Sequence, residues 1–371
     1  MKADMLIRFG LRSLVAAYFL VAASVAWFYP RSNWDMVPYV ALTIEKEGEK
    51  ADELHRKAWE IVRSGVSDGE FLQLTADRPY RVVQYADPAA FDSILSFYRI
   101  KLLYIEISRF LGSYIGAIEA LRLINVLSLI SIGFCVICWT GNLESWRLLV
   151  LVFCLVGFAD LGYIAQHVTP DLFAGALLIG GVLAWRLGKS TLGGILLFLS
   201  MLARPDHIVF IGVLAILDGV IRRRLSVTAI VGMLFVPVYF AISASASHPG
   251  WWVHFWFSHV EFVPNINGFN PPLSIVVYLQ SLIAGLVRIL SGETWWVLFV
   301  LEVLAIIEYK DRIAKWSKEY LILLATILSM PLKFAIAPMF ESRFYVIYML
   351  VAGLILIPTM RPLNAETLEP R

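Results

Sequence analysis

The 371 residues are 59% hydrophobic and only 16% charged, with a mean hydropathy of +0.73, which excludes a soluble globular chain and predicts an all-α polytopic membrane protein. Lys and Arg number 31 against 29 Asp and Glu. That near-neutral balance, without a basic tract or zinc-like ligand spacing, excludes a nucleic-acid partner.

The chain opens like a signal peptide, with Lys2 and Arg8 before an apolar stretch and the small residues VAASVA. The apolar run from Leu11 to Tyr29 nevertheless approaches the roughly 20 residues of a span, so an uncleaved first helix is expected. It is followed by YPRSNWDMVPYVALTIEKEG (29–48), where Asp35 is the lone acid in a Trp, Met, Pro and Tyr setting. Partial desolvation there suits a general base, and a capping or turn aspartate is the plainer alternative. Further on, EKADELHRKAWEIVRSG sets Leu54, Ala58, Ile61 and Val62 as an apolar stripe, and its charges at i,i+4 read as a solvated helix face. The Gly-, Pro- and Asp-rich SGVSDG and ADRPYRVVQYADPAAF read as connectors. Residues 97–117, FYRIKLLYIEISRFLGSYIGA, are apolar enough to suggest a span. However, Arg99, Glu106, Arg109 and Ser113 would share one helical face, which lipid does not tolerate at its centre, so a juxtamembrane helix is predicted.

Spans are predicted at about 11–29, 119–139, 147–164, 170–186, 190–203, 206–221, 225–243, 293–308, 320–338 and 343–359, about ten in all. Residues 271–290 are kept out of this set as a second interfacial segment. Arg8 with Arg12, Arg147, Arg186 with Lys189, the Arg222–Arg224 triplet, Lys310 to Lys318 and Arg361 then fall on one side, with both termini cytoplasmic. The result is a single integral-membrane domain over 1–371 with two large outer loops, 30–118 with its juxtamembrane helices and 244–292. Cys135, Cys138 and Cys154 lie inside apolar runs and read as packed helix.

Polar residues at membrane depth are expensive, and here they gather at the outer ends of helices and in the two loops. They are Asp35, Tyr98, Arg99, Lys101, Arg122, Gln166, His167, Asp171, Arg204, Asp206, His207, His254, His259, Glu261, Glu341, Arg343 and Tyr345. One outward-facing polar cavity is expected. Its cations suit an anionic head group, because a guanidinium donates two parallel charge-assisted bonds to phosphate. Trp and Phe in HPGWWVHFWFSHVEFVPNINGFNPP (248–272) suit an interfacial belt, a lipid-tail groove or a sugar platform. The spacing of His254, His259 and Glu261 matches no strong metal motif.

This order of features resembles the GT-C superfamily of integral-membrane glycosyltransferases, which use polyprenyl-phosphate sugars. The resemblance covers nearly the whole chain and rests on NWDMVPY, FYRIKLLY, EALRLINVL, QHVTPDLFAGALL, LSMLARPDHIVF and ESRFYVIYML. It implies that Asp35 is the catalytic base of an inverting transfer to a glycolipid or glycan acceptor outside the membrane. It also implies that Arg99, Lys101, Arg204, Arg343 and Tyr345 bind the donor phosphate. Arg122, His167, Asp171, Asp206, His207, His254, His259 and Glu261 would line the substrate site. Many relatives carry a paired acidic motif associated with a divalent cation, and Asp35 has no acidic neighbour, which favours a metal-independent enzyme. The expected setting is a bacterial inner membrane with a periplasmic site. Three other readings stand beside it. A lipid-linked sugar flippase would need polar lining on both sides, a glycan polymerase or ligase would rely on Arg and His, and a membrane scaffold would need none of the outward polar residues.

Overall fold

The computed structural model describes residues 2–141, 143, 145–222 and 227–360. The described residues form an all-α protein of nineteen α-helices joined by turns and short 3-10 segments. Arg223, Arg224 and Arg361, used above for sidedness, lie outside them.

α1 (Lys2–Phe28) leads into the segment 30–118, which holds α2 (Met36–Ile44), α3 (Ala51–Gly65), α4 (Asp68–Ala76), α5 (Pro79–Ala86), α6 (Pro88–Arg99) and α7 (Leu102–Ile115). The sequence places caps where these short helices begin. Ser67 and Glu70 form a reciprocal capping box on α4, prolines open α5 and α6, and Asp87 caps α6. The expected single helix over 97–117 is broken at Ile100–Lys101, so Arg99 ends α6 while Glu106 and Arg109 sit on α7. Glu45 still joins the two pieces, bonding Arg99 at 2.6 Å and lying 3.9 Å from Arg109.

The bundle follows with α8 (Ala117–Thr140), α9 (Trp146–Phe158), α10 (Leu161–Ala165), α11 (Asp171–Arg186), α12 (Ser190–Ala203), α13 (Ile208–Arg222) and α14 (Val227–Ser245). The segment 244–292 contributes α15 (Trp251–His259) and α16 (Ile275–Gly292), before α17 (Trp295–Tyr309), α18 (Lys318–Ile336) and α19 (Val346–Leu356). Each of the ten apolar segments read from the sequence contains a helix. The span between 147 and 164 is divided, because Asp160 takes a left-handed conformation (φ 45°) between α9 and α10. Ten full-length crossings are not evident. Among the described residues four helices are long and apolar enough to cross a membrane, within Ile7–Phe28, Ala117–Thr140, Ile275–Gly292 and Lys318–Ile336. Most other apolar helices are shorter, such as the 13-residue α9, which at 1.5 Å per residue covers roughly 20 Å of a ~30 Å hydrocarbon core. These apolar helices make the chain a membrane protein.

α16 meets the length criterion although the sequence reading kept 271–290 out of the spans. Its neighbours explain the difference. Near its start the Tyr278 hydroxyl donates to the Ala335 carbonyl, and near its end the Arg288 guanidinium lies over the Phe340 ring. Ala335 lies in the last turn of α18 and Phe340 in the stretch that joins α18 to α19, so α16 packs against one end of the bundle. Ser281, Gly285 and Ile289 turn inward while Ile283, Leu286, Val287 and Leu290 stay exposed, so one face of α16 packs on its neighbours and the other is apolar and open.

Two apolar cores result. One fills the bundle and includes Leu172, Val182, Leu197, Tyr345 and Tyr348. The other joins α2, α3, α6 and α7 to the start of α8 and to Val253 and Ile266 of the second loop. The polar site lies where these cores meet.

Candidate functional site

Three helix pairings converge there. α11 and α12 form a hairpin in which a Cβ on Gly193 would stand 2.9 Å from the Gly181 carbonyl, so these backbones approach as only small residues permit. The hairpin's open end therefore carries Asp171 and Arg204 side by side, and they form an ion pair. Gly175 lets α11 close on Ile347 of α19, which brings in the preceding turn and Arg343. α1 delivers Asp35 from the third side, held by the Arg31 amide donating to the Gln166 carbonyl at 2.9 Å.

Asp35 precedes α2, but its side chain makes no capping bond. Instead the Tyr98 hydroxyl donates to Oδ1 at 3.0 Å and Arg343 Nη1 donates to Oδ2 at 2.9 Å. The geometry removes the capping alternative. Arg343 also reaches Asp171 Oδ2 at 3.4 Å and pairs with Glu341. Arg204 joins Asp171 to Asp206, whose Oδ1 accepts from Nε at 2.7 Å. Lys333 closes the far end, 2.7 Å from Asp206 Oδ2 and 3.0 Å from the Phe344 carbonyl. The result is one chain of alternating charges from Asp35 to Lys333. Asp171 is nearly fully buried within it, at 4% exposure, so its charge is sustained only by the two guanidiniums.

Lys101 stands apart from this chain of pairs. Its ammonium donates to the Phe97 carbonyl and lies 5.0 Å over the Tyr98 ring. Burial and the field of Arg204 depress it to about 8, although Asp35 and Asp206 pull the other way. Among the described residues it is the cation of this cluster without a carboxylate partner at ion-pair distance. Burial pushes the Asp35 carboxyl up, but Arg343, Tyr98 and Lys101 together hold it below the ordinary carboxylate range. Asp206 is likewise held well down, because Arg204 and Lys333 outweigh its burial.

The other residues read from the sequence fall into three groups. Tyr345 is buried and adjoins the cluster, yet its hydroxyl donates to the Met339 carbonyl at 2.8 Å while its ring stacks on Trp295. His207 is buried against Tyr348, and burial depresses it to about 3, so it is a neutral imidazole near neutral pH. His167 lies at the rim, its Nδ1 3.0 Å from the Tyr163 carbonyl. A second group sits behind Phe97. His254 stacks on that ring at 4.3 Å and contacts His248 at 3.1 Å, and burial keeps His254 and His259 neutral as well. Glu261 is exposed, with its amide bonded to the Trp256 carbonyl. The third group is not brought to Asp35. Arg99 is engaged by Glu45 and by Asp92 at 3.2 Å, and Arg122 reaches the Gly65 carbonyl at 3.5 Å. Among the described residues no three His, Cys, Asp or Glu side chains are grouped to hold a metal ion.

Two participants were not assigned from the sequence. Lys333 lies inside an apolar helix, where a lysine is itself the signal. Tyr98 is polar in the sequence, but nothing local links it to a carboxylate 63 positions earlier. Set against protein families, curated proteins and solved structures, the chain shows no match.

Proposed function

We propose that the chain is a membrane glycosyltransferase that moves a sugar from a polyprenyl-phosphate donor to a glycolipid or glycan acceptor at the outer face. The observation that carries this reading is the placement of one carboxylate, Asp35, among Arg343, Lys101 and Arg204 at a single end of an apolar bundle. Such a site joins a proton acceptor to an anion cradle, and both are needed when a phosphate leaves an anomeric carbon.

In this reaction Asp35 accepts the proton of the acceptor hydroxyl as its oxygen bonds to the anomeric carbon. The bond from that carbon to the phosphate oxygen breaks, and the polyprenyl phosphate departs with the electron pair. Attack in line with the leaving group inverts the anomeric centre, and the proton passes from Asp35 to water. Arg343, Lys101 and Arg204 stabilise the developing charge, and preorganised donors serve here because they need no reorientation during the reaction. The exposed apolar face of α16 offers a bed for the prenyl chain, whose methylenes contribute about 0.8 kcal/mol each when buried. The reading takes the ten apolar helices as crossings, with both termini cytoplasmic and the site periplasmic.

Chemistry at the opposite end speaks against a flippase, since among the described residues Arg12, Lys318 and Arg312 donate to backbone carbonyls and Arg186 pairs with the partly exposed Glu319. The experiment is transfer from a panel of synthetic polyprenyl-phosphate sugars by purified protein, with Asp35→Asn alongside. Transfer lost in Asp35→Asn supports the reading. Donor binding without transfer, equal in both proteins, overturns it.

A further inference from the structure

Two histidines pack on the side of Phe97 away from Asp35, and their hydrogen bonds fix where each proton sits. In the turn before α15 the Gly250 amide donates to His248 Nδ1 at 3.2 Å, and the positive φ of Gly250 (98°) is one that glycine takes without strain. A backbone N–H can only donate, so this Nδ1 carries the lone pair. Burial and the Lys101 ammonium depress His248 to about 4, so near neutral pH its ring is uncharged and holds a single proton, on Nε2. That nitrogen lies 3.1 Å from Nδ1 of His254, which burial also keeps neutral and which must therefore accept. The proton of His254 is left on its own Nε2. Its ring is partly exposed, and this nitrogen makes no hydrogen bond among the described residues.

Phe97 joins the histidine pair to the charged site. Its carbonyl accepts from the Lys101 ammonium while its ring stacks on His254, with centroids 4.3 Å apart and planes 16° from parallel. Lys101 is also the cation whose field bears most on His254. We infer that His248 is a positioning residue that locks His254 as the Nε2–H tautomer, and that this N–H donates to an oxygen of the donor phosphate beside Lys101. This rests on the glycosyltransferase reading. A phosphodiester oxygen only accepts, so a ring nitrogen carrying the proton suits it, whereas one carrying the lone pair repels it. Without His248 the His254 ring is free to exchange tautomers, and a part of the population then turns a lone pair to the anion. The lock also supplies a donor that alkali does not remove. As Lys101 loses its proton above about 8, the His254 N–H remains.

The test uses the purified full chain with isotope-labelled histidine rings, whose nitrogen resonances separate a protonated from an unprotonated nitrogen, and follows farnesyl phosphate binding by tryptophan fluorescence. His254, assigned by the loss of its signals in His254→Phe, should be the Nε2–H tautomer. In His248→Leu that signature should average over both tautomers, and farnesyl phosphate should bind about tenfold more weakly, as it should in His254→Phe. His248→Gln, whose carboxamide can accept from Gly250 and donate to His254, should restore both the tautomer and the affinity. Wild-type affinity in His248→Leu and His254→Phe overturns the inference and leaves the transferase reading intact, and so does a His254 that carries its proton on Nδ1 in the wild type. Should His248→Leu fail to fold, His254→Phe and the wild-type spectrum decide. Failure of the wild type to bind farnesyl phosphate overturns both.

Discussion

The two ends of the bundle use charge differently. At the Asp35 end, side chains bond one another in a continuous series from Asp35 through Arg343, Asp171, Arg204 and Asp206 to Lys333. At the opposite end the cations chiefly close helix termini. Arg12 donates to the Gly141 carbonyl at 2.9 Å and to Leu143 at 3.0 Å, Lys318 to Trp185 at 2.6 Å, and Arg312 to Thr359 at 3.0 Å. Arg186 pairs with Glu319 at 3.1 Å and lies over Trp139. Carbonyls at helix ends explain the contacts of Arg12, Lys318 and Arg312. They do not explain the Asp35 end, where Asp171 and Arg204 are buried at a desolvation cost that anchoring does not require.

That contrast predicts a graded set of effects. Asp35→Asn keeps the shape and removes the base, so transfer should fall by about two to four orders of magnitude while the lost ion pair with Arg343 lowers thermal stability only modestly, as measured by a coupled transfer assay and a melting scan. Arg204→Ala leaves the buried Asp171 with Arg343 alone and Asp206 with Lys333 alone, and should destabilise the fold by up to about 3 kcal/mol in a denaturation titration. Lys101 loses its proton as pH rises through about 8, so donor affinity should weaken above that pH and Lys101→Arg should extend binding to higher pH. The smallest effects belong to pairs outside the series. Arg186→Ala at the opposite end and Arg99→Ala beside Glu45 are half-exposed, and each should cost about 1 kcal/mol or less with transfer unaltered. A large loss of transfer in Arg99→Ala would return that residue to the phosphate site.

Acid should act on the same series. Asp35 and Asp206 are held below their ordinary range in the folded protein. Their contribution is therefore present above the unfolded carboxylate value of about 3.9 and fades as pH falls beneath it. Asp206→Asn should flatten that acid limb of the stability curve.

The helices and the polar end were legible in the sequence because both follow from local pattern. Apolar runs bounded by Arg, Pro or Gly marked α1, α8, α11, α12 and α18 to within a few residues of their main length, apart from the start of α1 at Lys2. Span number was not legible, since hydropathy registers an apolar stretch without the length of its helix: the stretch 271–290, kept out of the spans, holds α16, which is long and apolar enough to cross a membrane. Within the site, Asp35, Lys101, Arg204 and Arg343 were singled out by their cost near lipid. Their partners were not, because the bond from Asp35 to Arg343 joins residues 308 positions apart. Arg99 misled for a related reason. Two positions separate it from Lys101, and the break between α6 and α7 sends the two side chains to different carboxylates' surroundings.

The most direct measurement is sugar transfer from synthetic polyprenyl-phosphate donors by the purified protein, comparing wild type, Asp35→Asn and Arg343→Ala. The account predicts transfer that collapses in both variants, with donor binding preserved in Asp35→Asn and weakened in Arg343→Ala. Transfer that persists in Asp35→Asn at the wild-type rate would contradict it.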